Sequence, residues 1–375
     1  MDTLILSCGT GGGHNAAGLA VKEEMLRRGH AAVMLDPYDL CDSDRISKRV
    51  DNTYITLAQR APKAFGAVYA AGNLYRRLPW RSPVYFVNGR MADIMEAYFD
   101  AHPTDVVIMS HVFPAEILTY MRDHGKRVPK TIFVATDYTC IPFTEEAKCD
   151  AYITPSEQLT GEFIDRGIAK ARLYPFGIPV SRAFQTVLTR EQAKEMLGLD
   201  AAKRYLLVSG GSIGAGALAH TLEILCDLTR RTDFKLIVVC GSNERLYASL
   251  QQRYGDAVLL LRHTDQMALY LRASELYFTK PGGLSTTEAA VMGVPLALLP
   301  PIPGCEDRNR EFFVRNGMAV VAEPSVQQLQ KVLDLLDSAP DCARMLQCQR
   351  TVIRKDAAAK ICDLAQRLVD GGEQP

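Results

Sequence analysis

The sequence predicts an α/β protein built from two parallel-sheet domains, and three observations predict it. The chain has 375 residues, more than one hydrophobic core usually supports. Short apolar runs alternate with helical stretches, and twice, around Gly9–Gly13 and Gly210–Gly216, a strand runs into a glycine-rich turn and then a helix. Between the two alternations stands Pro175-Phe176-Gly177-Ile178-Pro179, which reads as a linker. The expected domains are 1–178 and 179–350, followed by a terminal helical stretch, about 351–375.

Charges balance at 43 basic and 43 acidic residues, so bulk electrostatics give no argument for nucleic acid. The ten cysteines lie at scattered spacings with no C-x-x-C pair and no Cys/His run at zinc spacing. They read as reduced thiols in a cytosolic protein, with no metal site expected. Met1–Leu6 is too short and too soon followed by glycines to be a signal peptide. No apolar run approaches the roughly 20 residues that span a bilayer. Work on lipid would be done from the membrane surface.

In chain order, Leu4–Ser7 reads as a strand, Gly9-Thr10-Gly11-Gly12-Gly13 as a flexible turn, Asn15–Arg28 as a helix and Ala31–Leu35 as a second strand ending at Asp36. This is the outline of a dinucleotide-binding unit, although the spacing does not match G-x-G-x-x-G cleanly. His14 closes the turn at the first residue of the helix, where the dipole lowers its pKa and favours the neutral base. Capping or phosphate contact is its plainer role. From Ser43 to Arg90, nine Lys or Arg residues, among them Arg76, Arg77 and Arg81, interleave with Tyr54, Phe65, Tyr69, Tyr75, Phe86 and the single tryptophan, Trp80. Such a mixture suits a segment lying on anionic lipid, or else an ordinary helical insertion with buried aromatics and solvated charges. Strands at Asp105–Ser110 and Thr131–Ala135 end at His111 and at Thr136-Asp137-Tyr138. Polar residues at successive strand ends line one crevice in a parallel sheet, so His111 and Asp137 are site candidates against a capping role. Ala151–Thr154 is a further strand.

The second alternation opens with strand Tyr205–Ser209, the turn containing Gly211 and Ser212, and helix Ala217–Arg230. Strands follow at Lys235–Cys240, Ala257–Leu261 and Leu276–Phe278. The turn at Gly282 and Gly283 leads into a helix, Ser285–Met292, opened by a hydroxyl N-cap. Backbone amides at such a turn and helix N-terminus favour phosphate. Glu288, one turn further in, can accept hydrogen bonds from a vicinal diol such as a ribose while repelling free phosphate, which points to a nucleoside diphosphate. Strand Val294–Leu299 breaks at Pro300, Pro301 and Pro303 and leads through Gly304 to the polar cluster Glu306, Asp307, Arg308, Asn309 and Arg310. A strand at Met318–Val321, a helix from Ser325 and an amphipathic stretch, Cys342–Val369, complete the chain.

Lys280-Pro281-Gly282-Gly283-Leu284-Ser285 with Glu288, followed by Pro303-Gly304-Cys305-Glu306 and Asn309, resembles the donor site of the family 28 glycosyltransferases. Ser7 to Asn15 is similar to that family's amino-terminal glycine loop. Nearest within the family are the mono- and processive diacylglycerol glycosyltransferases that make galactolipids and glucolipids; more distant is the lipid II-forming N-acetylglucosaminyltransferase. The resemblance implies the GT-B arrangement, two Rossmann-like domains facing each other across a cleft, with the last helix crossing back to the first domain. It implies that Gly12, Gly13, His14 and Asn15 face the acceptor together with the His111 and Asp137 loops. It places uracil at His263 and Thr264, diphosphate at Gly211, Ser212 and Gly282 to Ser285, and sugar hydroxyls at Glu306 and Asn309. Ile141 and Thr144 stand where the lipid synthases tend to carry His and Trp, and Cys305 where the family usually has Gln, which leaves acceptor and sugar open.

The expected function is inverting transfer of a hexose from a UDP-sugar to a lipid hydroxyl, most of all diacylglycerol or its monoglycosyl product. The protein would sit in the cytoplasm, peripheral on the inner face of the cell membrane, with Arg76, Arg77, Trp80 and Arg81 on anionic lipid. No cofactor or metal is expected, because the glycine turns meet the leaving-group charge. Transfer of N-acetylglucosamine to a polyprenyl-linked acceptor, a UDP-sugar 2-epimerase and a catalytically silent binding protein are the alternatives on the same fold.

Overall fold

The computed structural model describes residues 1–9, 12–41, 62–76, 80–212, 214, 218–255 and 257–371. The chain divides into two compact units, the first drawn from Met1–Leu57, Lys63–Ser181 and Arg354–Pro375, the second from Ala58–Pro62 and Arg182–Ile353. Both are parallel α/β units, as the alternation of apolar runs and helices predicts.

In the first unit the strands are β1 (Asp2–Leu6), β2 (Ala31–Leu35), β3 (Val106–Met109), β4 (Lys130–Val134), β5 (Ala151–Ile153) and β6 (Leu173–Tyr174). They pair in the order β2-β1-β3-β4-β5-β6, all parallel. Val106, Val107, Ile108 and Met109 are buried at every position, the pattern of a strand covered on both faces. One face packs against helix Gly12–Arg27 through Val21 and Met25. Ile361, Leu364 and Leu368 of helix Ala357–Val369 join the same core with Ile5, Ile108, Ile132 and Val134. Each such aliphatic side chain contributes roughly 1.5–3 kcal/mol on burial. Arg28 fastens that last helix, its Nη1 2.5 Å from Asp363 Oδ1 and its Nη2 donating to the Ala359 carbonyl at 3.1 Å.

In the second unit β7 (Arg204–Ser209), β8 (Phe234–Val239), β9 (Leu259–Leu261), β10 (Leu276–Thr279), β11 (Leu296–Leu298) and β12 (Val320–Val321) form a parallel sheet in the order β12-β11-β10-β7-β8-β9. Its core gathers Leu206, Val208, Leu236, Val238, Phe278 and Leu299 with Leu222 and Leu225 of helix Leu218–Thr229.

Each sheet reverses its strand order once, between β1 and β3 in the first unit and between β7 and β10 in the second. Loops leaving adjacent strands in opposite directions open a crevice at the carboxyl ends, where open α/β sheets bind ligands.

Three boundaries differ from the sequence reading. The first helix begins at Gly12, inside the glycine run, so His14 lies in its first turn. The helix expected from Ser285 begins at Gly283, with Gly282 as an N-cap at φ −70° and ψ 135° that gives no side-chain cap; Ser285 is therefore its third residue and not its cap. The stretch Cys342–Val369 is two helices, Ala339–Val352 and Ala357–Val369, parted where Ile353 turns extended.

Candidate functional site

At the β1/β3 switch point the first unit sets two histidines side by side. Gly12 and Gly13 open the helix that carries His14, and Asn15 follows, its Oδ1 accepting from Ser7 Oγ at 2.6 Å. His14 Nδ1 lies 2.8 Å from the Ser110 carbonyl oxygen at the end of β3, and Thr136 Oγ1, at the end of β4, lies 2.8 Å from the same nitrogen. A carbonyl can only accept, so the proton sits on Nδ1 and Nε2 is left as the basic nitrogen. Burial holds the imidazole below its ordinary pKa, opposed in part by the Asp137 carboxylate and by the Ser110 carbonyl. Asp137, half-buried, follows Thr136 directly.

His111 takes the opposite tautomer. It caps helix Val112–Asp123, its Nδ1 accepting from the Phe113 N–H at 3.2 Å, so its proton is on Nε2. The two rings meet edge to face with centroids 4.6 Å apart. Burial, and the neighbouring His14, hold His111 well below its ordinary pKa. Of the two roles the sequence leaves to His111, site residue or cap, the structure gives it the cap, which occupies its basic nitrogen. One turn along the same helix stands Glu116, 0% exposed, with neither carboxylate oxygen hydrogen-bonded among the described residues. Burial, with Glu146 adding to it, pushes its carboxyl up to about 9.

The basic and aromatic stretch is corrected. Arg76 is spent inside the unit, Nε and Nη2 gripping Glu145 at 2.6 and 2.5 Å and Nη1 donating to the Cys140 carbonyl at 3.0 Å, with its side chain 2% exposed. Arg81 pairs with Asp123 at 2.9 Å and donates to the Glu146 carbonyl at 2.8 Å. Acidic partners some forty and seventy residues away claim these guanidinium groups, Arg76 wholly and Arg81 with 30% of its side chain still exposed. Arg77 lies outside the described residues. Trp80 remains outward, 67% exposed, as are Leu74, Phe86 and Val87.

At the β7/β10 switch point the second unit brings two glycine loops together. After β7, Gly211 (φ +73°) and Gly214 (φ +58°) adopt the left-handed conformation. Their own amides are used locally, Gly211 N–H on Ser209 Oγ at 3.1 Å and Gly214 N–H on the Gly211 carbonyl at 3.1 Å. Ser212 is exposed, its carbonyl held by the Ser242 N–H at 2.8 Å. After β10, the helix starting at Gly283 leaves the first-turn amides of Gly283, Leu284 and Ser285 without intrahelical acceptors, a site for an anion. One turn on, Glu288 has no hydrogen-bond partner among the described residues. Its recessed carboxyl is pushed up to about 8 by desolvation.

Glu306 and Asn309, expected to hold sugar hydroxyls, point into the protein. Glu306 is 7% exposed, ion-paired to Lys280 and accepting from the Ile302 N–H at 2.8 Å. Asn309 is 0% exposed and donates to the Pro281 carbonyl at 3.0 Å. The phase of helix Cys305–Arg315 turns both inward, where they brace the Lys280–Gly283 loop. His263 is exposed, and Thr264 Oγ1 accepts from the Gln266 N–H at 3.1 Å, both after β9. That edge strand lies two positions from β7, about 10 Å at the usual strand spacing, a span that suits a base and its phosphates.

Two residues received no role of their own in the sequence reading, Thr136 beside His14 and Lys280, quoted there only as part of the donor motif, between the glycine loops. Lys280 directly follows β10 and Thr136 lies two residues past β4, and a polar or cationic residue just beyond the carboxyl end of a buried strand is the signal that could have found them.

Two parallel α/β units with glycine loops at their switch points are the GT-B arrangement. Residues 14–180 match the family described as monogalactosyldiacylglycerol (MGDG) synthase, and residues 205–361 the glycosyltransferase family 28 C-terminal domain. The chain thus carries a family 28 glycosyltransferase C-terminal domain behind an MGDG synthase-like one, and it is an enzyme, a glycosyltransferase. It is 24% identical over 366 residues to the processive diacylglycerol β-glucosyltransferase of Bacillus pumilus, covering 96% of this chain and 93% of that one. Among solved structures it is similar in fold to Acinetobacter baumannii MurG, with TM-score 0.62 and 15% identity over 98% of this chain and 99% of that one. The S. aureus MnaA–UDP complex gives TM-score 0.67 and 12% identity over 100% and 99%.

Proposed function

We propose that this enzyme moves a hexose from a UDP-sugar to a lipid hydroxyl with inversion, and that the acceptor is diacylglycerol or its monoglycosyl product. The observation that carries the reading is His14, fixed by the Ser110 carbonyl in the tautomer that leaves Nε2 as a neutral base at the switch point of the MGDG synthase-like unit. In this reading Nε2 takes the proton from the acceptor hydroxyl as its oxygen attacks the anomeric carbon, and the bond to UDP breaks on the opposite face. The imidazolium so formed is stabilised by Asp137. The departing diphosphate is received by the first-turn amides of Gly283, Leu284 and Ser285, and Glu288 holds the ribose. A base, a donor and these amides suffice, so the reaction needs no metal or other cofactor.

The enzyme works from the cytoplasmic surface of the membrane. No helix among the described residues is long and apolar enough to cross one, and the exposed Leu74, Trp80, Phe86 and Val87 supply apolar contact in place of the paired arginines. Mass spectrometry of the products formed from mixed UDP-glucose, UDP-galactose and UDP-N-acetylglucosamine with lipid extract tests this. A glycosylated diacylglycerol is expected. Conversion of a UDP-sugar to its epimer without lipid product would overturn it.

A further inference from the structure

Lys280 stands where the two donor-side loops meet. It follows β10 at the switch point, and its stem lies so close over Gly211 that a Cβ there would stand 2.7 Å from Lys280 Cε. A Cβ on Gly282 would stand 3.7 Å from its ammonium nitrogen. Gly211 is thus needed twice, for its positive φ and for the room the lysine takes. The ammonium is paired with Glu306, the two side chains 13% and 9% exposed. Glu306 in turn holds the Ile302 N–H at 2.8 Å, and Asn309, from the same helix, holds the Pro281 carbonyl at 3.0 Å. The lysine is therefore braced from helix Cys305–Arg315, and Glu306 compensates its buried charge.

We propose that Lys280, held by Glu306 between the two glycine loops, is the cation that binds the diphosphate of the nucleotide donor and meets the charge that develops as it leaves. This rests on the donor reading above and adds to it a charged group, where amides alone were considered. An ammonium has three donors in a compact head, so one lysine can serve Glu306 and a phosphate oxygen together. Glu288, desolvated one turn into the adjoining helix and without a hydrogen-bond partner among the described residues, fixes the other end of the same ligand at its ribose.

The test compares UDP with uridine, which lacks the phosphates, by titration calorimetry and competition. Lys280→Met keeps the stem over Gly211 and removes the charge. Because it strands Glu306, the double variant Lys280→Met/Glu306→Gln is measured against Glu306→Gln alone. Loss of the lysine should weaken UDP by about tenfold or more, as expected for a charge-assisted bond, while uridine affinity stays within about twofold. A UDP-to-uridine affinity ratio equal in the double variant and in Glu306→Gln would overturn the assignment. Should the unaltered enzyme bind no UDP, the donor reading itself fails; UDP binding that is indifferent to Lys280 removes only the lysine.

Discussion

Removing the His14 imidazole should separate catalysis from donor binding. The ring is tied at Nδ1 by Ser110 and Thr136, each at 2.8 Å, and only Nε2 is left to take a proton. A positioned general base contributes about 10²–10⁴ in rate, roughly 2.7–5.4 kcal/mol of barrier. His14→Ala should therefore lower turnover at least a hundredfold and leave UDP affinity nearly unchanged, because the donor amides belong to the second unit. His14→Gln should not restore it, since an amide takes no proton near neutral pH. Thr136→Val removes one of two anchors and should cost about fivefold, the worth of a single hydrogen bond near 1 kcal/mol, with Thr136→Ser close to wild type. The assay is initial rate with UDP-glucose and diacylglycerol in mixed micelles from pH 5 to 8. Burial lowers the His14 pKa, so the neutral base persists as pH falls and the acid limb of kcat should lie below 6.5. Near-normal turnover in His14→Ala would move the base to Asp137, and an acid limb well above 6.5 would refute the desolvated imidazole.

Glu288→Ala should weaken UDP near pH 7 by about 0.5–1.5 kcal/mol through lost hydrogen bonds between its largely neutral carboxyl and the ribose; calorimetry showing equal affinity removes Glu288 from the site. Glu116 has its carboxyl raised to about 9 in the fold, so its contribution to stability is full below about 4.5 and is lost as pH rises from there towards 9. Between pH 5 and 7, urea unfolding should show Glu116→Gln gaining about 2.5 kcal/mol relative to wild type, from roughly 1.4 kcal/mol per pH unit; a pH-independent difference would show that Glu116 ionises normally. Trp80→Ala with Phe86→Ser should reduce cosedimentation with anionic vesicles and spare UDP binding, and unchanged sedimentation would deny this surface a membrane role. Arg76→Ser should instead destabilise the first unit by about 3–5 kcal/mol by stranding Glu145, which thermal unfolding reads directly.

Strands were legible because buried parallel strands are apolar on both faces, so Val106–Met109 and Leu276–Phe278 could hardly be anything else. Chain order and glycine turns then carried the two units and the polar strand ends. What stayed hidden was side-chain direction. Helix phase decides that Glu306 and Asn309 face inward, and their residue types do not reveal it. Arg76 and Arg81 look like free surface charge until the fold brings Glu145 and Asp123 to them. The opposite tautomers of His14 and His111 depend on one carbonyl and one amide that no spacing rule locates.

The closing helix has a consequence for how the molecule is made. Residues 361–368 complete a core whose first members are Ile5 and Val21, so the amino-terminal unit cannot finish packing while its partner residues are still inside the ribosome. The stretch Arg182–Ile353 is continuous in the chain and emerges whole before them. Synthesis that would ordinarily let the leading domain fold first here leaves it without part of its core until helix Ala357–Val369 arrives.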